Sequence, residues 1–170
     1  MTDRRPGQMS IAAGGELELI NTAPEDFHTI CAMERDEDTS PYIIHCPMDE
    51  HLRDFRRDEI VYKSVFAGGN SMVGFVILKL DPDGVSVELA RIVIAEKGRS
   101  YGSRAVALVD IVCREELHRS RIWLDVFEFN HRAQRVYEKN GYTHFGEASH
   151  KGKTLRLYEK NISARHSQQV

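Results

Sequence analysis

Lys97, Gly98, Arg99, Ser100, Tyr101 and Gly102 form a basic, glycine-bearing turn directly ahead of a helical pattern. The two glycines permit tight backbone geometry. The first amides of a helix have no intrahelical acceptor and carry the positive end of its dipole, and Lys97, Arg99 and Arg104 add charge. That combination suits a pyrophosphate. No Gly-Lys-Ser/Thr follows, so the turn is not a P-loop, and Ser100 and its surroundings break a GxGxxG dinucleotide fingerprint. Further on, Asn130 opens a second helix that carries Tyr137 two turns later. Asn130 caps that helix, contacts a ligand, or does both. Tyr137 either closes the core or presents its hydroxyl to a bound group. His45, His51, His118, His131 and His144 have no metal-like spacing, so no metal is expected. No Cys or Ser is arranged for a covalent intermediate.

The elements that must position these groups follow from periodicity. Alternation over residues 16–20 predicts a first strand. Asn21 and Thr22, ahead of Pro24 and two acids, predict a capped helix start, with Phe27, Ile30, Cys31 and Met33 on its apolar side. Residues 40–48, broken by two prolines, predict a loop or short helix. Leu52, Phe55 and Ile60 predict a helix over 49–60. A hairpin is expected from 61–67 and 71–80 around Gly68-Gly69-Asn70, with Gly74 marking a bulge or a close approach. The turn Asp81-Pro82-Asp83-Gly84 leads to a third strand at 85–94, completing an antiparallel meander. A helix over 101–117 and a strand over 121–127 make a parallel crossover. A helix over 131–139 stops at Gly141, and a hairpin around Lys151-Gly152-Lys153 closes the sheet. The fold class is therefore α/β: a mixed, mostly antiparallel sheet with helices on both faces. One domain is expected over 16–161, with a disordered segment at 1–15 and a frayed tail at 162–170.

With these motifs in place, the stretch from Glu88 to Gly146 closely resembles the GCN5-related N-acetyltransferase (GNAT) superfamily. The similarity is greatest to its small-molecule and ribosomal-protein N-terminal acetyltransferases. The family's acetyl-CoA signature falls on Lys97 to Gly102, with Lys97 in place of the usual Gln/Arg and Ser100 in place of the central glycine. The second signature is matched by Trp123-Leu124-Asp125-Val126, Asn130-His131-Arg132-Ala133 and Tyr137-Glu138-Lys139-Asn140-Gly141-Tyr142. The resemblance implies an acyl-CoA N-acyltransferase fold, acetyl-CoA as cosubstrate, and direct transfer to an amine. It implies that the amides of Arg99, Ser100, Tyr101, Gly102 and Ser103 hold the pyrophosphate, with Lys97 and Arg104 beside them. The backbone of Ile92, Val93 and Ile94 would pair with the cofactor where two strands splay, and Asn130 would contact its arm. Tyr137 would be the general acid for the departing thiolate. Glu88 is the candidate base, with Asp125 as competitor. The acids Glu34, Asp36, Glu37 and Asp38 would border the acceptor site and suit a cationic amine. Trp123 is expected in the core.

Composition sets limits on partners. The chain has 170 residues, and its 23 Lys and Arg against 26 Asp and Glu give a formal charge of −3. Such balance gives no general attraction to nucleic acid or to a membrane surface. Cys31, Cys46 and Cys113 show no CxxC pair, which suits free thiols in a reducing compartment. There is no apolar signal segment or membrane-length run, and a cytoplasmic location is the expectation. The expected acceptor is a small-molecule primary amine. A protein N-terminus as acceptor, or an acyl-CoA sensor without turnover, are the alternatives. A homodimer is compatible with the family, although no exposed apolar stripe argues for it.

Overall fold

Alternating apolar residues on the central strands bury both faces of one sheet, so helices must cover it on each side. The computed structural model describes residues 10–14 and 17–163, with side-chain environments from Leu17 onward. Eight strands run in the order β1-β2-β3-β4-β5-β6-β8-β7. They are β1 (Ser10–Gly14), β2 (Leu17–Asn21), β3 (Ile60–Ala67), β4 (Ser71–Leu80), β5 (Ser86–Ile94), β6 (Arg121–Phe127), β7 (Thr143–His150) and β8 (Lys153–Asn161). Every neighbouring pair is antiparallel except β5 with β6. Helices α1 (Phe27–Arg35) and α2 (Met48–Phe55) flank the sheet with α3 (Tyr101–Ile111) and α4 (His131–Lys139).

Phe75 and Ile77 on β4 pack in one cluster with Phe27 and Ile30 of α1. Val76 and Leu78, one residue out of phase, pack in the other with Val106 and Val109 of α3. Phe27 is only 1% exposed; burying such a side chain is worth about 1.5–3 kcal/mol.

Several boundaries differ from the sequence expectation. Residues 10–14, expected to be disordered, form edge strand β1 along β2; residues 1–9 and 15 of the expected disordered segment and 164–170 of the expected tail lie outside the described residues. Asn21 and Thr22 do not cap α1. Asn21 ends β2, Thr22 bonds Ser64 at 2.9 Å, and the Asp26 carboxylate accepts the Ala23 amide at 3.0 Å instead. Helix α2 stops at Phe55 because Ile60 pairs with Lys79 in the sheet and buries there. The helix expected to run to Leu117 widens after Ile111 into a π turn, Val112–Glu116, where the Leu117 amide bonds the Val112 carbonyl. That turn carries Glu116 to 2.8 Å from the Nζ of Lys63, a fully buried lysine on β3.

Strand β5 meets β6 only through Ser86–Arg121, Val87–Ile122 and Glu88–Trp123. Beyond these pairs β5 continues along β4 to Ile94, and β6 continues along β8 to Phe127. The two strands therefore part, and a V-shaped cleft opens between them. A register shift on β5, where Leu78 faces Leu89 but Ile77 faces Arg91, leaves Ala90 as an extra residue that bends the strand at this point.

Gly74 is both the bulge site and the close approach that its position in a strand suggests. Val73 is the extra residue beside it, and a Cβ on Gly74 would lie 2.2 Å from the Val93 carbonyl oxygen. The alanine variant must push β5 back. Gly74→Ala is expected to lose about 1–3 kcal/mol in urea unfolding, and calorimetry is expected to show weakened cofactor binding because Val93 lines the cleft.

Candidate active site

The cleft between β5 and β6 has a volume of about 900 Å³. One wall is Leu89 to Ile94 of β5, and β6 contributes Asp125, Val126 and Phe127. The start of α3, one side of α4 and the loop from Glu37 to Ile44 complete it. Because β5 has no strand partner on its β6 side here, part of its backbone hydrogen-bonding edge is left facing the cleft.

The basic turn sits at one end. Gly98 has φ +84° and Ser100 has φ 58°, ψ 17°, a left-handed conformation in which its side chain makes no cap to α3. The Arg104 amide bonds the Ser100 carbonyl, so the amides of the first helical turn remain for a ligand. A Cβ added at Gly98 or Gly102 would meet nothing within 4 Å, so space in front of those backbones is open. Lys97 bonds the Ile94 carbonyl at 2.6 Å. Burial lowers its pKa, and the charge of Arg132 lowers it further. An open cradle of amides with a cation at its side fits a pyrophosphate.

Of the residues expected here, Ile92, Val93, Ile94, Lys97, Gly98, Ser100, Tyr101, Gly102, Ser103, Asn130 and Tyr137 all line this one cleft. Arg99, Arg104 and Glu88 are not on its lining. Arg99 pairs with Glu96 at 2.8 Å, and Arg104 lies 5.9 Å from the centre of the Tyr101 ring. In their place, Arg132, Arg135 and Lys139 of α4 contribute the charge. Their i, i+3, i+7 spacing puts them on one helix face, a signal present in the sequence but not used.

Asn130 caps α4 by accepting the Ala133 amide at 3.2 Å, and it also faces the cleft. Asn140 ties the end of α4 to the start of α3 through Ser103 Oγ at 3.0 Å. Tyr137 is 8% exposed, with its ring packed beside Tyr142 and Tyr158 at 5.8 and 6.5 Å. Burial raises its pKa, and Asp125 raises it further. Asp125, on β6, faces the cleft and is itself exposed; desolvation by the surrounding walls still raises its carboxyl above the ordinary range despite His150 and Lys79. Burial also raises Glu88, offset by Lys79 and reinforced by Asp125 and Asp81. Trp123 donates to Asp81 at 2.7 Å and stays off the cleft.

The acids at the end of α1 and just after it divide. Glu37 and Asp38 line the cleft. Glu34, expected to border the acceptor site, is 2% exposed and already engaged: Arg91 bonds one carboxylate oxygen at 3.0 Å and His51 the other at 2.5 Å. Tyr42 and Phe127 of the lining both meet Phe129, with ring centroids 5.9 Å and 5.1 Å away. Among the described residues there is no group of three or more His, Cys, Asp or Glu able to hold a metal.

The geometry agrees with known acetyltransferases. A spermidine N-acetyltransferase from Vibrio cholerae, in complex with CoA and spermine, superposes with a TM-score of 0.76 over 88% of this chain and 97% of its own, at 16% identity. A spermidine/spermine N-acetyltransferase from the same organism, in complex with manganese ions, gives 0.71 over 86% and 93%, also at 16% identity. At such identity the likeness speaks for the fold. No protein of curated function matches the sequence. The model of the Acetyltransferase (GNAT) family, however, matches residues 24–142 and so takes in α1, the meander, the basic turn and Tyr137. The chain belongs to that family and is an acetyl-CoA-dependent N-acetyltransferase.

Proposed function

We propose that the chain moves the acetyl group of acetyl-CoA directly to a primary amine of a small polycationic molecule, with polyamines as the acceptor class. One observation carries this: a single cleft has Lys97, Arg132, Arg135 and Lys139 on its α3–α4 side, and Glu37, Asp38 and Asp125 among its other lining residues. The basic groups suit the phosphates of the donor, and the acids suit a cationic acceptor. The polyamine enzyme of the same fold supports the choice.

Acetyl-CoA supplies an activated thioester. The amides of Gly102 and Ser103 and the ammonium of Lys97 hold its pyrophosphate. Asp125 takes the proton of the acceptor ammonium and frees the nitrogen lone pair. We assign this role to Asp125 over Glu88 because Asp125 lines the cleft and Glu88 does not. As the C–N bond forms and the C–S bond breaks, Tyr137 donates its proton to the departing sulfur, and the second proton shed by the acylated nitrogen restores the Tyr137 hydroxyl. A tyrosine whose pKa is raised by burial keeps that proton at neutral pH.

A thiol-release assay against polyamines, aminoglycosides, amino acids and N-terminal peptides is expected to show turnover with polyamines first. Tyr137→Phe is expected to lower kcat by about 10²–10⁴-fold with little change in acetyl-CoA affinity by calorimetry; unchanged kcat would remove Tyr137 as acid. Activity requires ionised Asp125, so kcat/KM is expected to fall as pH drops through a pKa above about 3.9, the ordinary aspartate value. Asp125→Asn is expected to abolish that limb. Because the folded state raises this pKa, ionised Asp125 opposes folding at pH 7 and not at low pH. The asparagine variant is therefore expected to melt higher than wild type at pH 7, with the gain gone under acid.

Ser100, where the family keeps glycine, tests the sensor alternative. A serine tolerates the left-handed conformation better than a β-branched residue does. Ser100→Gly is expected to retain acetyl-CoA binding and turnover. Ser100→Val is expected to lose about 1–3 kcal/mol of stability and to bind acetyl-CoA more weakly. Cofactor binding without thiol release toward any amine would favour an acyl-CoA sensor.

A further inference from the structure

Arg91 lies on β5 just past the bulge at Ala90, on the same face as Val93, which packs in the cluster with α1. Its guanidinium is 14% exposed and forks in two directions. One nitrogen donates to Glu34 of α1 at 3.0 Å, and the other donates to the backbone carbonyl of Ile44 in the loop over the cleft. Glu34 has no freedom to turn, because its second oxygen meets His51 Nε2 at 2.5 Å, and His51 Nδ1 meets the Tyr62 hydroxyl at 2.8 Å. His51 is 0% and Glu34 2% exposed. Four elements, α1, α2, β3 and β5, thus converge on one guanidinium.

Besides Arg91, the loop is held by a Ser40–His45 hydrogen bond at 3.0 Å and the Tyr42–Phe129 ring contact, both exposed. Tyr42 and Ile44 are 43% and 46% exposed, and residues 43–47 contain no regular element. An exposed wall gains little from apolar burial, so its polar anchor matters more. Yet Pro41 to Ile44 line the cleft on the side that carries Glu37 and Asp38.

We infer that Arg91 is a positioning residue for the acceptor: its fork pins the Pro41–Ile44 wall of the cleft to β5, with Glu34, His51 and Tyr62 as its rigid mount. The inference rests on the acetyl-transfer reading for its kinetic consequence but not for the tether itself. Only a planar fork reaches both partners. Lysine would keep the charge beside Glu34 and lose one of the two bonds. Removal of the charge, as in Arg91→Ala, would leave a buried carboxylate short of its cation and endanger folding. Arg91→Lys is therefore the informative variant.

Two measurements test it. Limited proteolysis with a protease of broad specificity compares Arg91→Lys with wild type, and cleavage within 43–46 is expected to run about tenfold faster or more while cutting elsewhere keeps its wild-type rate. In steady state with a polyamine, KM for the amine is expected to rise about tenfold, with kcat and the calorimetric Kd of acetyl-CoA changing little. Unchanged cleavage within 43–46 overturns the tether. Faster cleavage with an unchanged amine KM, or parallel losses in amine KM and acetyl-CoA Kd, overturns the acceptor role. If wild type acetylates no amine, the proposed function fails on its own, and the proteolysis experiment still decides whether Arg91 holds the loop.

Discussion

Everything in the site depends on two parallel strands that stop pairing. A sheet gains hydrogen bonds by staying closed, and an unpaired strand edge inside a protein leaves polar backbone groups wanting partners. Here β5 and β6 part after Glu88 and Trp123, yet neither frays, because β4 holds β5 from one side and β8 holds β6 from the other. The bulge at Ala90 bends β5 where the parting begins. The result is a fixed cleft with one backbone edge offered to a ligand, which suits the amide-bearing arm of acetyl-CoA. The same parting sets Tyr137 and Asp125 within electrostatic reach of each other across open space.

Keeping such a cleft open requires that the surrounding layers do not slide. Buried ionic groups occur where helices meet the sheet: Lys63 of β3 with Glu116 after α3, Lys160 of β8 with Asp110 of α3, and Arg91 of β5 with Glu34 of α1. Buried pairs of this kind are poor sources of net stability, since desolvation offsets most of the attraction. Burial lowers the pKa of Lys63 and raises that of Asp110, the direction expected when desolvation outweighs the partner's pull. They do fix direction and distance, because any slip would strand a charge. In this chain each pair ties a helical layer to one named strand, so their contribution is registry between the layers that form the cleft.

The sequence disclosed what is local and hid what is not. The turn from Lys97 to Gly102, the Asn130 cap and the placement of Tyr137 depend on spacing within one helix or turn, and they were legible. Gly74 was legible too, because a glycine in a strand announces a bulge or a contact. Glu34 is misleading: it stands beside Asp36, Glu37 and Asp38 and groups with them as an acid bordering the acceptor site. Its real partner, Arg91, is 57 residues away, and no periodicity links the two. Ile60 matched a helical stripe, but the tertiary gain from pairing with β4 took it into a strand. Strand β1 escaped notice because Ser10-Ile11-Ala12-Ala13-Gly14 has no alternation to read.

In the proposed mechanism one environment serves two opposite proton roles. Burial raises the pKa of both Tyr137 and Asp125. For the tyrosine this preserves the proton that a leaving thiolate needs. For the aspartate it lifts a weak base toward the range in which it can accept a proton from an ammonium. The two groups start from ordinary values about 6 units apart, so raising both keeps one as acid and leaves the other as base. Making the cleft more polar would ease the cost of holding ionised Asp125 but would weaken it as a base. Making it drier would stabilise the protonated form of both and leave no base at neutral pH. An Asp125 exposed to the open cleft but partly desolvated by its walls, with a buried tyrosine in electrostatic reach, lies between these limits, and the spread of β5 and β6 sets where it lies.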